Sequence, residues 1–172
     1  MELKAIDPDR ERSLAVCETL GATAHGVLIQ RDTYFHAPHG RLKLREEEGA
    51  TPHLIAYKRQ DQAGQRESRY RIVDVDQVAE LRVALSSALG IKVVVAKKRS
   101  LFLWNQVRIH LDEVKGLGDF IEFEAVAGDG SDLSREKAHV ATMRQAFAID
   151  DSHVIGESYC DLACRNSAAR TR

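Results

Sequence analysis

No segment of this chain is apolar over the roughly 20 residues that a membrane-spanning helix needs, which argues against a membrane partner. Cysteine is scarce: Cys17, Cys160 and Cys164 make an odd set with no Cys-x-x-Cys pair, so neither a disulfide framework nor a zinc knuckle is expected. His36, His39 and His53 likewise lack zinc-like spacing. Charge of one sign is not in excess, since 25 Lys and Arg oppose 26 Asp and Glu. A net charge of −1 excludes a protein that coats nucleic acid by bulk electrostatics, so no nucleic-acid partner is expected. Met1-Glu2-Leu3-Lys4 shows no basic region followed by an apolar core, which leads us to expect a cytoplasmic protein. Internal repeats and low-complexity segments are also missing.

What remains is 172 residues, 44% hydrophobic and 30% charged, enough for one ordinary globular domain with its own core. We expect that domain to cover residues 1–165, with a frayed tail over 166–172. Helices are expected at Pro8–Leu20, capped by Asp7, at Gln77–Leu89, capped by Asp76, and at Leu133–Phe147. A shorter, weaker helix is expected over Glu157–Cys164. Strands are expected at Met1–Ile6, Val27–His36, Arg41–Glu47, His53–Gln60, Ser68–Val73, Lys92–Leu103, Gln106–Glu113 and Phe120–Ala127. Eight strands in close succession with hairpin signals between them imply antiparallel pairing.

The strands carry charge in an unusual way. Alternate residues of a strand share a face. Arg41, Lys43 and Arg45 therefore lie together with Leu42 and Leu44 opposed. Lys97 joins Arg99; Arg108, His110 and Asp112 share a face; Glu122 joins Glu124; Glu2 joins Lys4. Like charges two apart repel unless a counter-ion or a partner strand compensates them. The amphipathic helices must bury their apolar stripes, and the apolar strand faces are the one large surface available. The fold class that follows is α+β: an eight-stranded antiparallel β-barrel with helices packed outside and charges pointing into a wet tunnel. The candidate inward cations are Lys4, Arg41, Lys43, Arg45, Arg59, Lys97, Arg99 and Arg108, and the candidate anions are Glu2, Asp112, Glu122 and Glu124. Clustered Arg and Lys suit phosphate oxygens, and clustered carboxylates suit a hard divalent cation.

These residues resemble the CYTH superfamily, the triphosphate tunnel metalloenzymes. The resemblance runs from Glu2-Leu3-Lys4-Ala5 through Gly40-Arg41-Leu42-Lys43-Leu44-Arg45 and Lys97-Lys98-Arg99. Its most specific stretch runs from Arg108 to Glu124, which is similar to the class IV adenylate cyclase branch. The resemblance implies Mg2+ or Mn2+ held by Glu2, Glu122 and Glu124 with help from Asp112. It implies phosphates held by Lys4, Arg41, Lys43, Arg45, Lys97, Arg99 and Arg108, with either Lys58 or Arg59 as a further cation. Asp112, Lys97 and Glu2 are the expected catalytic residues. The family motif Glu-x-Glu-x-Lys is matched here only in its second Glu and its Lys, by Glu2 and Lys4.

The expected function is metal-dependent hydrolysis of a triphosphate or nucleoside triphosphate. Cyclisation of ATP and non-catalytic binding are the alternatives, and a homodimer is left open. Tyr34 shares parity with Asp32, and His110 has tunnel parity. Trp104 and Tyr159 are read as packing residues, and Glu46-Glu47-Glu48 as a solvated turn.

Overall fold

The computed structural model describes residues 1–59, 68–128 and 131–170. The strands are β1 (Glu2–Ile6), β2 (Thr23–Phe35), β3 (Arg41–Glu47), β4 (His53–Arg59), β5 (Ser68–Asp74), β6 (Ile91–Trp104), β7 (Val107–Val114) and β8 (Gly118–Ala125). The helices are α1 (Arg10–Thr19), α2 (Val78–Leu89), α3 (Ser134–Ala146) and α4 (Tyr159–Arg170). All eight strands form one antiparallel sheet in the order β1-β8-β7-β6-β2-β3-β4-β5.

The sheet curls but does not close by hydrogen bonds, because β1 and β5 are its two ends. The outer edge of β1 has another partner. Ala5 bridges Val154, the Ile6 amide donates to the His153 carbonyl at 2.9 Å, and the Ile155 amide donates to the Lys4 carbonyl at 3.0 Å. That segment takes the edge that β5 would need for a closed barrel, so the architecture is a half-barrel.

Side-chain alternation sorts the two faces as expected. Leu3, Ala5, Val107, Ile109, Leu111, Ile121 and Phe123 point to the convex face and pack with Cys17 of α1 and with Val140 and Met143 of α3. Fully burying a side chain such as Phe123 stabilises the fold by roughly 1.5–3 kcal/mol. A second convex cluster joins Phe35, Leu44 and Leu54 to Leu81, Leu85 and Leu89 of α2.

Helix α4 departs from expectation. Its Tyr159, Cys160 and Leu162 pack on Tyr34, Val95, Val114 and Phe120, which share strand parity with the charged residues. The helix therefore covers one end of the concave face instead of the outside. It also runs past Cys164 to Arg170, into the segment expected to fray.

Two caps differ as well. Asp9 caps α1, accepting from the Arg12 amide at 3.0 Å, while Asp7 accepts from the Ser13 hydroxyl at 2.8 Å. Gln77, not Asp76, occupies the N-cap of α2, and Gly90 ends that helix at φ 74°, where a side chain would be strained. Trp104 does pack, edge-on to His139 at 6.1 Å.

Candidate functional site

The concave face encloses a cavity of about 410 Å³. Lys4, Lys43, Arg45, Lys97, Arg99 and Arg108 line it with Glu2, Glu122 and Glu124. The sheet register explains this convergence. Lys4 stands opposite Glu122, Glu122 opposite His110, and Glu2 opposite Glu124. Asp32 stands opposite Arg45, and Arg99 opposite Asp112.

Two aspartates organise the cations from behind. Asp32 is 1% exposed. Arg45 donates to both of its oxygens at 2.7 Å, Lys43 donates at 2.9 Å, and Lys97 approaches to 3.5 Å. Burial alone would raise the Asp32 pKa. Lys43, Lys97 and Arg45 outweigh it and hold the carboxyl well below the usual range.

Asp112 is wholly buried and receives two 2.6 Å bonds from Arg99 and one of 2.8 Å from the Tyr159 hydroxyl. Burial likewise opposes its charge, and Arg99 reverses the balance, so its pKa is lowered. Such short charge-assisted bidentate contacts fix guanidinium orientation as well as charge.

Burial acts on the lysines in the opposite sense. It lowers the pKa of Lys97 well below the usual value and that of Lys43 to about 8, with neighbouring Arg groups adding to the effect and Asp32 opposing it. Glu122 takes Arg99 at 2.9 Å and Lys4 at 3.5 Å. Burial, then Arg99, lowers the pKa of His110, and its buried Nδ1 has no hydrogen-bond partner, with Glu122 at 3.6 Å. The buried Gln30 Oε1 on the cavity wall is also unpaired.

Several expected site residues lie elsewhere. Asp112 does not line the cavity, and its oxygens accept from Arg99 and Tyr159, so it positions those two side chains. Arg41 lines a neighbouring recess and donates to Asp161 of α4 at 2.8 Å. Lys58 is exposed, one residue past the cavity-lining Tyr57 and therefore on the opposite face. The side chain of Arg59 lies outside the described residues.

Sequence reasoning missed two residues. The sequence assigns Asp32 no role, although it shares parity with Tyr34. Tyr159 packs, as the sequence suggests, but its ring also lies under Lys4 at 3.9 Å and near Lys97 at 5.3 Å.

The family model for the CYTH domain matches residues 1–151. The chain belongs to the CYTH family. Solved structures with the same fold include the PH1012 protein from Pyrococcus horikoshii OT3, at 20% identity and TM-score 0.78, covering 94% of this chain and 99% of that one. A proposed adenylate cyclase from Vibrio parahaemolyticus matches at 20% identity and TM-score 0.78, covering 94% and 95%. The Hippeastrum protein HpAC1, a proposed adenylyl cyclase with a dominant triphosphatase activity, matches at 15% identity and TM-score 0.68, covering 96% and 95%. No curated protein matches the chain.

This CYTH domain suits a divalent metal in one particular way. Among the described residues no group of three or more His, Cys, Asp or Glu is arranged to hold one. Glu2 and Glu124 nonetheless face each other across the β1–β8 ladder and both line the cavity. Mg2+ commonly takes one or two carboxylates and completes its shell with phosphate oxygens and water. The pair fits that mode and does not amount to an all-protein cage.

Proposed function

We propose that this CYTH domain binds a triphosphate in the concave cavity and hydrolyses it with the help of Mg2+ or Mn2+. The observation that carries this reading is a convergence of cations. Among the described residues, the buried or half-buried Lys4, Lys43, Arg45, Lys97 and Arg99 line one cavity, held by Asp32, Asp112 and Glu122, and the half-buried Glu2 and Glu124 line it too. Clustered guanidinium and ammonium groups present donors that match phosphate oxygens. The multiple oxygens of a triphosphate would meet Arg in bidentate fashion and Lys as point charges.

Asp32 and Asp112 hold these donors in place before substrate arrives, so little reorganisation is required on binding. Glu2 and Glu124 would hold the metal beside the phosphates. A metal bound there would neutralise charge on the phosphate oxygens and acidify a water molecule. In hydrolysis a water oxygen bonds to the terminal phosphorus, the bridging P–O bond breaks, and orthophosphate leaves with diphosphate as the other product. Gln30 offers an unpaired acceptor oxygen on the wall that can orient a water molecule, and His110 offers an unpaired ring nitrogen in the same lining.

The same cations would serve attack by a ribose 3′-hydroxyl on the α-phosphorus with loss of pyrophosphate. One experiment separates the two chemistries. The full chain is incubated with Mg2+ or Mn2+ and inorganic triphosphate, thiamine triphosphate or ATP, and orthophosphate, pyrophosphate and cyclic AMP are measured. Orthophosphate supports hydrolysis, while cyclic AMP with pyrophosphate replaces it by cyclisation. Thermal stabilisation by triphosphate without product would leave a binding protein.

A further inference from the structure

The cation row of β3 has two kinds of counter-ion. Arg41, Lys43 and Arg45 alternate along the strand, so they share one face at a spacing of about 7 Å. Lys43 and Arg45 are held by Asp32, a sheet residue that is 1% exposed. Arg41 is held by Asp161, which stands in the first turn of α4 and whose side chain is 27% exposed. The match to the family model ends at residue 151, so α4 and its Asp161 lie beyond it.

The row runs from the cavity into the neighbouring recess of about 350 Å³, and Tyr34 lines both. The Lys43 ammonium lies 5.7 Å and the Arg41 guanidinium carbon 5.9 Å from the centre of the same Tyr57 ring. Lys92 also lines the recess, and its ammonium stands 4.0 Å from the second Asp161 oxygen. One carboxylate therefore serves two cations at this end of the row. Asp161 is also anchored within its own helix, since Oδ2 accepts from the Ser158 hydroxyl at 2.6 Å and the Ser158 amide at 3.2 Å.

We infer that Asp161 is an exchangeable counter-ion that competes with the bound phosphate chain for Arg41 and Lys92. The inference rests on the triphosphate reading above and adds a residue that regulates the same site. Asp32 is closed off from water and holds its cations whether or not a ligand is present. Asp161 is partly open to solvent, and an ion pair in contact with water is worth little. Phosphate oxygens offer Arg41 the same bidentate match as a carboxylate does. Exchange leaves Arg41 with an anion and returns Asp161 to water with its Ser158 bonds intact. Asp161 thereby lowers the affinity of the site without touching the reacting atoms.

Isothermal titration of the full chain in EDTA with inorganic triphosphate tests this without requiring turnover. Asp161→Asn removes the charge but keeps an oxygen that accepts from Ser158, so the start of α4 is preserved. We expect this variant to bind triphosphate about three- to tenfold more tightly than the wild type. In an Arg41→Gln/Lys92→Gln background the same substitution should change affinity by less than about twofold, because the contested cations are gone. An equal gain in both backgrounds would reveal a diffuse field effect and overturn the inference. So would an Asp161→Asn chain that binds no better than the wild type. Where a variant fails to fold or to bind, the wild type decides. The 13C resonance of the Asp161 carboxyl carbon should move as triphosphate saturates the site, and a resonance that stays fixed would overturn the inference. Each of these results leaves the triphosphate reading standing, whereas a wild type that binds no triphosphate would remove that reading and this one together.

Discussion

The middle of the concave face and its β4–β5 wing have the same strand parity but opposite character. In the middle, Asp32 and Asp112 are 1% and 0% exposed, and each holds several charged or polar donors. On the wing, Tyr70 and Ile72 are about half exposed and lie on an end strand of the sheet. The difference teaches that facing the cavity is not a single role. Central residues are fixed by each other, while wing residues stay open to solvent.

The largest effect should come from breaking the centre. Asp112→Ala leaves the Arg99 guanidinium buried beside Glu122 alone and should destabilise the fold by about 3–5 kcal/mol, measured by urea unfolding. Arg99→Ala should cost a similar amount by stranding Asp112, so it is a poor probe of phosphate binding by itself. Asp32→Asn should also lower the melting temperature, but inorganic triphosphate should then raise it by more than in the wild type. The added anion replaces the lost countercharge, and tighter binding to the folded state raises apparent stability. A smaller rise than in the wild type would show that the positioning of Lys43, Arg45 and Lys97 by Asp32 outweighs the lost countercharge.

pH sharpens the contrast further. Lys43 has a folded pKa of about 8, below its ordinary 10.5, so the unfolded chain holds more protons between these values. This group alone makes stability rise with pH across that window. Triphosphate affinity should fall over the same window as Lys43, facing Asp32, Arg45 and Arg99, gives up the charge the ligand needs. Parallel slopes in melting temperature and affinity would contradict this assignment. The smallest effect belongs to the wing: Ile72→Ala should change stability by less than about 1 kcal/mol, because the side chain is already half in water.

Much of the centre could be read from alternation. The period of two placed Lys4, Lys43, Arg45, Lys97, Arg99 and Glu122 on one face because the charges recur with strand parity. What alternation cannot supply is pairing across strands. Asp112 has the right parity, but its partner emerges only from the β6–β7 register. Counting back from Trp104 opposite Val107 at the Asn105 turn gives Arg99 opposite Asp112, so a hairpin signal for that role was present. For Asp32 the β2–β3 hairpin offers a similar signal, since counting back from Phe35 opposite Leu42 gives Arg45, but Lys97 comes from a strand far away in sequence. Tyr159 was harder still. It sits on a helix of weak periodicity, and only tertiary packing brings that helix onto the concave face. Closure failed for a similar reason, because nothing local announces that residues 153–155 take the edge of β1. The uncharged wing was visible as Ile55, Tyr57, Tyr70 and Ile72 only once the β4–β5 register joined them.

A crystal structure of the full chain with inorganic triphosphate is the most direct test of the buried cation cluster as an anion site. The account predicts phosphate oxygens within hydrogen-bond distance of Lys43, Arg45, Lys97 and Arg99, with the Arg45–Asp32 and Arg99–Asp112 pairs still formed. An anion bound only on the outer surface, with those four side chains unchanged around water, would contradict it.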